Sequence, residues 1–163
     1  MTLIADASPL ILLGKSSLLI KLVEGNKIII PEKVYSEIIK GKEKAMTDAF
    51  LVDKLVKEKK IIVQKVDKNI IKKINEVFGL WAGEGEVLGL AIDTKFPIIT
   101  DDKKCINSAK ASNIHVITSL DVVIALYKRK KINKEKALNT LDFLEEYGWY
   151  KKEIIKLYKE RIK

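Results

Sequence analysis

The chain has 163 residues, 47% hydrophobic and 33% charged, a balance that fits one soluble domain with a real core and excludes a disordered chain. Lys and Arg number 31 against 22 Asp and Glu, a net charge of +9; this suits phosphate backbones or anionic surfaces as partners and equally matches the Lys-, Glu- and Ile-rich composition of thermophile proteins. The single cysteine, Cys105, excludes an internal disulfide or a cysteine-rich zinc site. No apolar run is long enough for a membrane span, and no charged-then-apolar export pattern opens the chain, so a cytoplasmic protein is expected.

In chain order, short β-branched runs alternate with helical patterns. Strands are predicted at Thr2–Asp6, Lys27–Ile30, Ile61–Val66, Phe96–Thr100 and His115–Thr118. Ser8 and Pro9 read as the N-cap and first residue of a helix that follows strand one. Pro31 opens a helix over Glu32–Lys40, which Gly41 closes. Ala82-Gly83 precedes a helix running to about Asp93. Asp102 caps a helix toward Ser112, and Ser119 caps another over Leu120–Lys130. The stretch from Asn133 to Lys163 reads as all-helical with a break at Gly148. No repeat or linker divides the chain, so a single domain over 1–163 is expected, with about 133–163 as a helical tail packed on it. The alternation predicts a three-layer α/β/α sandwich around a mostly parallel sheet.

The tail has two further features. Lys128-Arg129-Lys130-Lys131 is read first as cations at the negative end of a helix dipole and second as a phosphate grip. Trp149, Tyr150, Ile154, Ile155 and Tyr158 recur at helical spacing, and are read as core or dimer contacts rather than a base-stacking platform.

Acids stand at the ends of two of the apolar runs. Thr2-Leu3-Ile4-Ala5 leads into Asp6, and Phe96-Pro97-Ile98-Ile99-Thr100 leads into Asp101 and Asp102. In open α/β sheets, ligands bind beyond the carboxyl ends of the strands. Two glutamates sit where helices can aim them at the same crevice. Glu37 borders the Val34/Ile38 apolar stripe, and Glu84 shares a face with Leu88 and Ala91 in the first turn of its helix. Singly, each acid is explained as a cap or a dipole partner. Together, converging carboxylates repel unless a cation offsets them. Hard oxygen donors without a nearby Cys or His set suit Mg²⁺ or Mn²⁺.

The order Asp6-Ala7-Ser8, then Glu37, then Gly83-Glu84-Gly85-Glu86 running into Leu90-Ala91, then Thr100-Asp101-Asp102, resembles the PIN domain over nearly the whole chain. The likeness is to a prokaryotic branch related to the VapC-like toxin ribonucleases. It implies a metal-dependent endoribonuclease. Asp6, Glu37, Glu84 and Asp102 match the catalytic acids, with Asp6, Glu84 and Asp102 as metal ligands. Ser8 matches a nearby hydroxyl position, and Thr100, Asp101 and Glu86 are secondary members. Glu86 points well away from Glu84 on an ideal helix. Lys104 stands where many family members carry a further acid, so a second metal does not follow from the likeness. Lys15, Lys103 and Lys104 are the lysines expected to meet nucleic acid. RNA is the implied substrate, and a homodimer and a separate antitoxin are the implied protein partners.

Two rival readings remain. A PIN-like fold can bind RNA or a partner without cutting, and the loss of an acid at Lys104 supports that alternative. A receiver-type phospho-acceptor also gathers aspartates around Mg²⁺, but it pairs two acids after strand one, where Asp6 stands alone. No Walker-type or dinucleotide-binding loop is present. His115 reads as a strand-end structural residue, and Cys105 as filler.

Overall fold

The computed structural model describes residues 1–44 and 46–163. In chain order these residues form β1 (Thr2–Ala5), α1 (Ala7–Lys15), α2 (Leu19–Gly25), β2 (Lys27–Pro31), α3 (Glu32–Glu43), α4 (Thr47–Lys57), β3 (Ile61–Gln64) and α5 (Lys68–Phe78). There follow α6 (Ala82–Thr94), β4 (Ile98–Ile99), α7 (Lys103–Ala111), β5 (Val116–Ile117), α8 (Ser119–Lys128), α9 (Lys134–Tyr147) and α10 (Lys152–Glu160). All five predicted strands are present; β3, β4 and β5 are shorter than predicted, at Ile61–Gln64, Ile98–Ile99 and Val116–Ile117.

The sheet is parallel throughout, in the order β3-β2-β1-β4-β5. Ile and Leu fill its centre: Leu3, Ile4, Ile28, Ile30, Ile98 and Ile99 are all buried. A strand covered on both faces must be apolar along its length, and these runs are. Right-handed crossovers put helices on opposite faces as the chain moves outward on either side of β1. Accordingly α1 contacts α4 and α8 in one layer, while α6 contacts α5 and α7 in the other. Helix α3 touches both α4 and α6. Strand order reverses at β1, so the crevice between the carboxyl ends of β1 and β4 is the topological switch point where such sheets bind ligands.

Three predicted boundaries move. The cap of α1 is Asp6 rather than Ser8, because the Asp6 carboxylate already accepts from the Ala7 N–H and the helix starts there. Helix α3 does not stop at Gly41 but continues to Glu43, and Gly41 lets it approach Ala49 of α4 closely. Helix α8 is capped by Thr118, whose hydroxyl accepts from the Asp121 N–H while the Asp121 side chain accepts from the Thr118 N–H. That reciprocal box outcompetes Ser119 as a cap. The cap of α7 at Asp102 is as expected, and α9 is capped by Asn133, whose side chain accepts from the Lys136 N–H.

The tail is helical with its break at Gly148. Helix α9 packs on α8 and α10 packs on α9. Two phenols fasten it to the sheet's carboxyl edge: Tyr150 donates to Asp101, and Tyr158 donates to Asp121 at 2.7 Å.

Candidate active site

Beyond the ends of β1 and β4 lies a cleft of about 590 Å³ whose walls include Asp6, Glu37, Glu84 and Asp102. The four acids come from four separate elements. Asp6 follows β1, Glu37 lies on α3, Glu84 lies in the first turn of α6, and Asp102 caps α7.

Asp6 is 5% exposed. Its Oδ1 accepts from the Ala7 N–H at 2.8 Å, and its Oδ2 accepts from the Thr100 hydroxyl at 3.1 Å. Thr100 in turn accepts from the Asp102 N–H at 3.2 Å, so the two strand ends are tied through one buried hydroxyl. Burial pushes the Asp6 carboxyl up to about 6; the two hydrogen bonds resist that rise, and the charges of Glu84 and Glu37 add to it. Glu84, half-buried, is also raised, first by burial and then by Asp102 and Glu37, with Lys104 pulling the other way. These carboxylates act on one another through space, as an acid cluster without a counter-ion must.

Glu37 reaches its place because Gly83 has no side chain. The Gly83 N–H donates to Glu37 Oε1 at 3.2 Å, and a Cβ on Gly83 would lie 2.9 Å from Glu37 Oε2. The carboxylate thus sits on the positive end of α6. Asp102 Oδ1 accepts from the Cys105 N–H at 2.6 Å. Cys105 is buried beneath the site; burial, reinforced by the Asp6 charge, pushes its thiol up to about 12, and it stays neutral.

The remaining predicted residues divide. Ser8 and Lys103 line the cleft, and Thr100 is the buried tie. Asp101 borders the cleft, but its carboxylate is engaged elsewhere: it accepts from the Ser119 N–H at 2.8 Å, the Ser119 hydroxyl at 2.5 Å and the Tyr150 phenol. Glu86 turns away from the site and accepts from the Lys33 N–H at 3.1 Å, at the start of α3. Lys104 donates to the Gly79 carbonyl at 2.6 Å, closing the C-terminus of α5. Lys15 ends the nine-residue α1, about 13 Å of helix from the cleft edge.

Whether a divalent ion suits this donor set can be judged from its chemistry. The donors are all hard oxygens. Among the described residues the ion pairs join Lys42 and Lys57 to Asp53, Lys54 and Lys60 to Glu58, and Lys159 to Asp142; none neutralises the four acids. Among the described residues, also, no three His, Cys, Asp or Glu side chains already converge as a metal-binding group. One or two carboxylates plus several waters is how Mg²⁺ is usually held. The cleft fits an ion bound in that open, largely water-mediated way.

The PIN-domain pattern matches residues 2–163. The chain belongs to the PIN-domain family. Its five-stranded parallel sheet, flanking helices and helical extension are a PIN-like α/β/α fold. PIN domains are generally nucleases that use divalent metals, so this is a nuclease-type fold. No curated protein matches the chain. Among the described residues no helix is long and apolar enough to cross a membrane.

One cleft residue departs from the core half of its sequence reading as a core or dimer contact. Trp149 belongs to neither the core nor a helix: it is 92% exposed and lines the acidic cleft, while its neighbour Tyr150 is packed and bonded to Asp101. The signal was the Gly148 break, which ends the helical pattern one residue before the tryptophan.

Proposed function

We propose that this PIN domain is an endoribonuclease that hydrolyses RNA phosphodiester bonds with Mg²⁺ or Mn²⁺. All 163 residues would act as one unit, with the helices from about residue 133 packed on it as a tail. The observation that supports this reading is the shared cleft of Asp6, Glu37, Glu84 and Asp102, in which burial first and neighbouring carboxylates second raise both Asp6 and Glu84. Asp6, Glu84 and Asp102 would hold the ion, directly or through water. When bound, it polarises the scissile phosphate and lowers the pKa of an attacking water.

The chain's own residues do the rest. Glu37, steadied at Oε1 by the Gly83 N–H, orients that water and takes its proton at a carboxylate oxygen. Thr100 and the Ala7 N–H keep Asp6 in one orientation. Lys103 at the cleft wall offsets substrate charge. The test is cleavage of a labelled single-stranded RNA with Mn²⁺ or Mg²⁺ against an EDTA control. Asp6→Asn is expected to lower the rate at least ~100-fold, the scale of removing a principal catalytic group. Equal rates for wild type and variant, or no metal-dependent cleavage, overturn the reading.

A second reading has specific support: a PIN fold that binds RNA without cutting it. Lys104 spends its cation on Gly79, where many relatives offer an acid, and no ready-made three-carboxylate group is present among the described residues. Metal-independent RNA binding without cleavage is its signature. If the chain is the toxin of a toxin–antitoxin pair, it works as a cytoplasmic homodimer silenced by a separate antitoxin. The exposed Ile154 and Leu157 of α10 are the apolar side chains the tail offers such a partner. Light scattering that returns a monomer mass at high concentration removes the dimer.

A further inference from the structure

We infer that Trp149 is a stacking platform for one unpaired nucleobase of the strand whose backbone occupies the acidic cleft. This rests on the nucleic-acid reading above and adds to it the residue that grips the base.

Trp149 is the most exposed large apolar side chain among the described residues, at 92%, and it lines the same cleft as Asp6, Glu84 and Asp102. It is displayed by a braced backbone. On one side Gly148 ends α9 with its N–H donated to the Leu144 carbonyl at 3.0 Å, in a turn so tight that a Cβ there would lie 2.5 Å from that carbonyl oxygen. On the other side Tyr150 is bonded to Asp101, which the Ser119 N–H and hydroxyl also hold. The indole between these two anchors is uncovered while its backbone is fixed.

Its surroundings select the ligand. Behind it the cleft is lined by carboxylates and by Lys103, and Lys151 and Lys152, which follow it in the chain, line an adjoining pocket with Asp142, Glu145, Glu146 and Glu153. An apolar protein partner asks for a contiguous greasy patch; the tail's other exposed apolar side chains, Tyr147, Ile154 and Leu157, do not line the cleft, and among the described residues Trp149 is the one large apolar side chain that does. A π-face beside cations and a phosphate-handling cleft matches a single-stranded nucleic acid, where each aromatic takes one base without regard to its identity.

The test reads binding without cleavage. In a Trp81→Phe protein, Trp149 is the only tryptophan. Its emission is followed while a short unstructured oligonucleotide is added with Ca²⁺ to offset the acids in place of Mg²⁺ or Mn²⁺, strand integrity being checked by gel, in RNA and DNA versions of one sequence, with binding read independently by anisotropy of a labelled strand. Saturable quenching is expected. In otherwise wild-type protein, Trp149→Ala is expected to weaken binding about 5- to 150-fold, as loss of one base stack does, while Trp149→Phe stays within about 3-fold. Quenching by the RNA strand alone assigns the platform to RNA; quenching by both assigns it to single strands in general.

The platform is overturned if anisotropy saturates with Trp149 emission unchanged, if Trp149→Ala binds as wild type does, or if neither strand binds. A Trp149→Ala variant of halved mass and unchanged affinity overturns it too, placing the indole in a dimer contact. Quenching without metal-dependent cleavage upholds the platform and removes the nuclease; cleavage with a silent Trp149 does the reverse.

Discussion

Burial holds the Asp6 carboxyl at about 6 in the folded protein, against about 4 in an unfolded chain. A folded-state pKa above the unfolded one means the fold prefers the protonated form. The associated stability is therefore complete below about pH 4 and is lost as the pH climbs through about 6, a change of about 2–3 kcal/mol. Asn keeps the cap and the Thr100 partner but does not ionise. Asp6→Asn is thus expected to unfold several degrees higher than wild type near pH 7.5 and at the same temperature near pH 4, measured by calorimetry. Mn²⁺ near pH 7.5 is expected to raise the wild-type midpoint and leave that of Asp6→Asn unmoved. Gly83 offers a second residue-level test. A methyl group there meets the far end of Glu37, which can swing, and the buried Val34 Cγ2 at 3.1 Å, which must give by a few tenths of an ångström; that crowding offsets alanine's helix-forming advantage of about 1 kcal/mol, so Gly83→Ala is expected to fold with its midpoint within about 5 °C of wild type. Its RNA cleavage is expected to fall ~10-fold as Glu37 leaves its place.

At the scale of elements, α3 and α6 hold each other by exchange. Glu37 of α3 takes an N–H at the start of α6, and Glu86 of α6 takes an N–H at the start of α3. Only the first bond faces the cleft. Glu86→Ala is accordingly expected to cost about 0.5–1.5 kcal/mol in urea unfolding with the cleavage rate unchanged; a lost rate would return Glu86 to the site. Four of the five strands were legible in the sequence because β-branched runs ended in acid or proline; Asp6 and Asp102 were legible because strand ends point at the crevice, and Glu37 and Glu84 because they border the apolar stripes of their helices. Helix starts were less so. Ser8 and Ser119 are good caps by type, but Asp6 and the Thr118–Asp121 pair reach the free N–H groups first. Asp101 looked like a site acid because its partners, Ser119 and Tyr150, are far along the chain. Trp149 was hidden for a related reason: the apolar spacing around it is helical, and only the Gly148 turn removes it from the pattern.

For the whole molecule, the tail is closed by carboxylate–phenol bonds at the sheet's working edge. Burial, with the neighbouring Asp101 charge, pushes the Tyr150 phenol far above its ordinary range, so it donates at every working pH. Tyr150→Phe is expected to lose about 1.5–3 kcal/mol, as a hydrogen bond to a charged group does, in chemical unfolding. A Tyr150→Phe/Asp101→Asn double-mutant cycle assigns that loss to the pair if the two changes together cost less than their sum.

The tie between Thr100 and Asp6 spans 94 positions, and the cleft draws on segments from both halves of the polypeptide. A chain still emerging from the ribosome exposes Asp6 and Glu37 long before β4 can slot in beside β1. Thr100 and Asp102 arrive only with that strand, so until well past the middle of synthesis Asp6 lacks its hydroxyl partner and the cleft lacks its fourth acid. The site is among the last parts of the sheet to be completed.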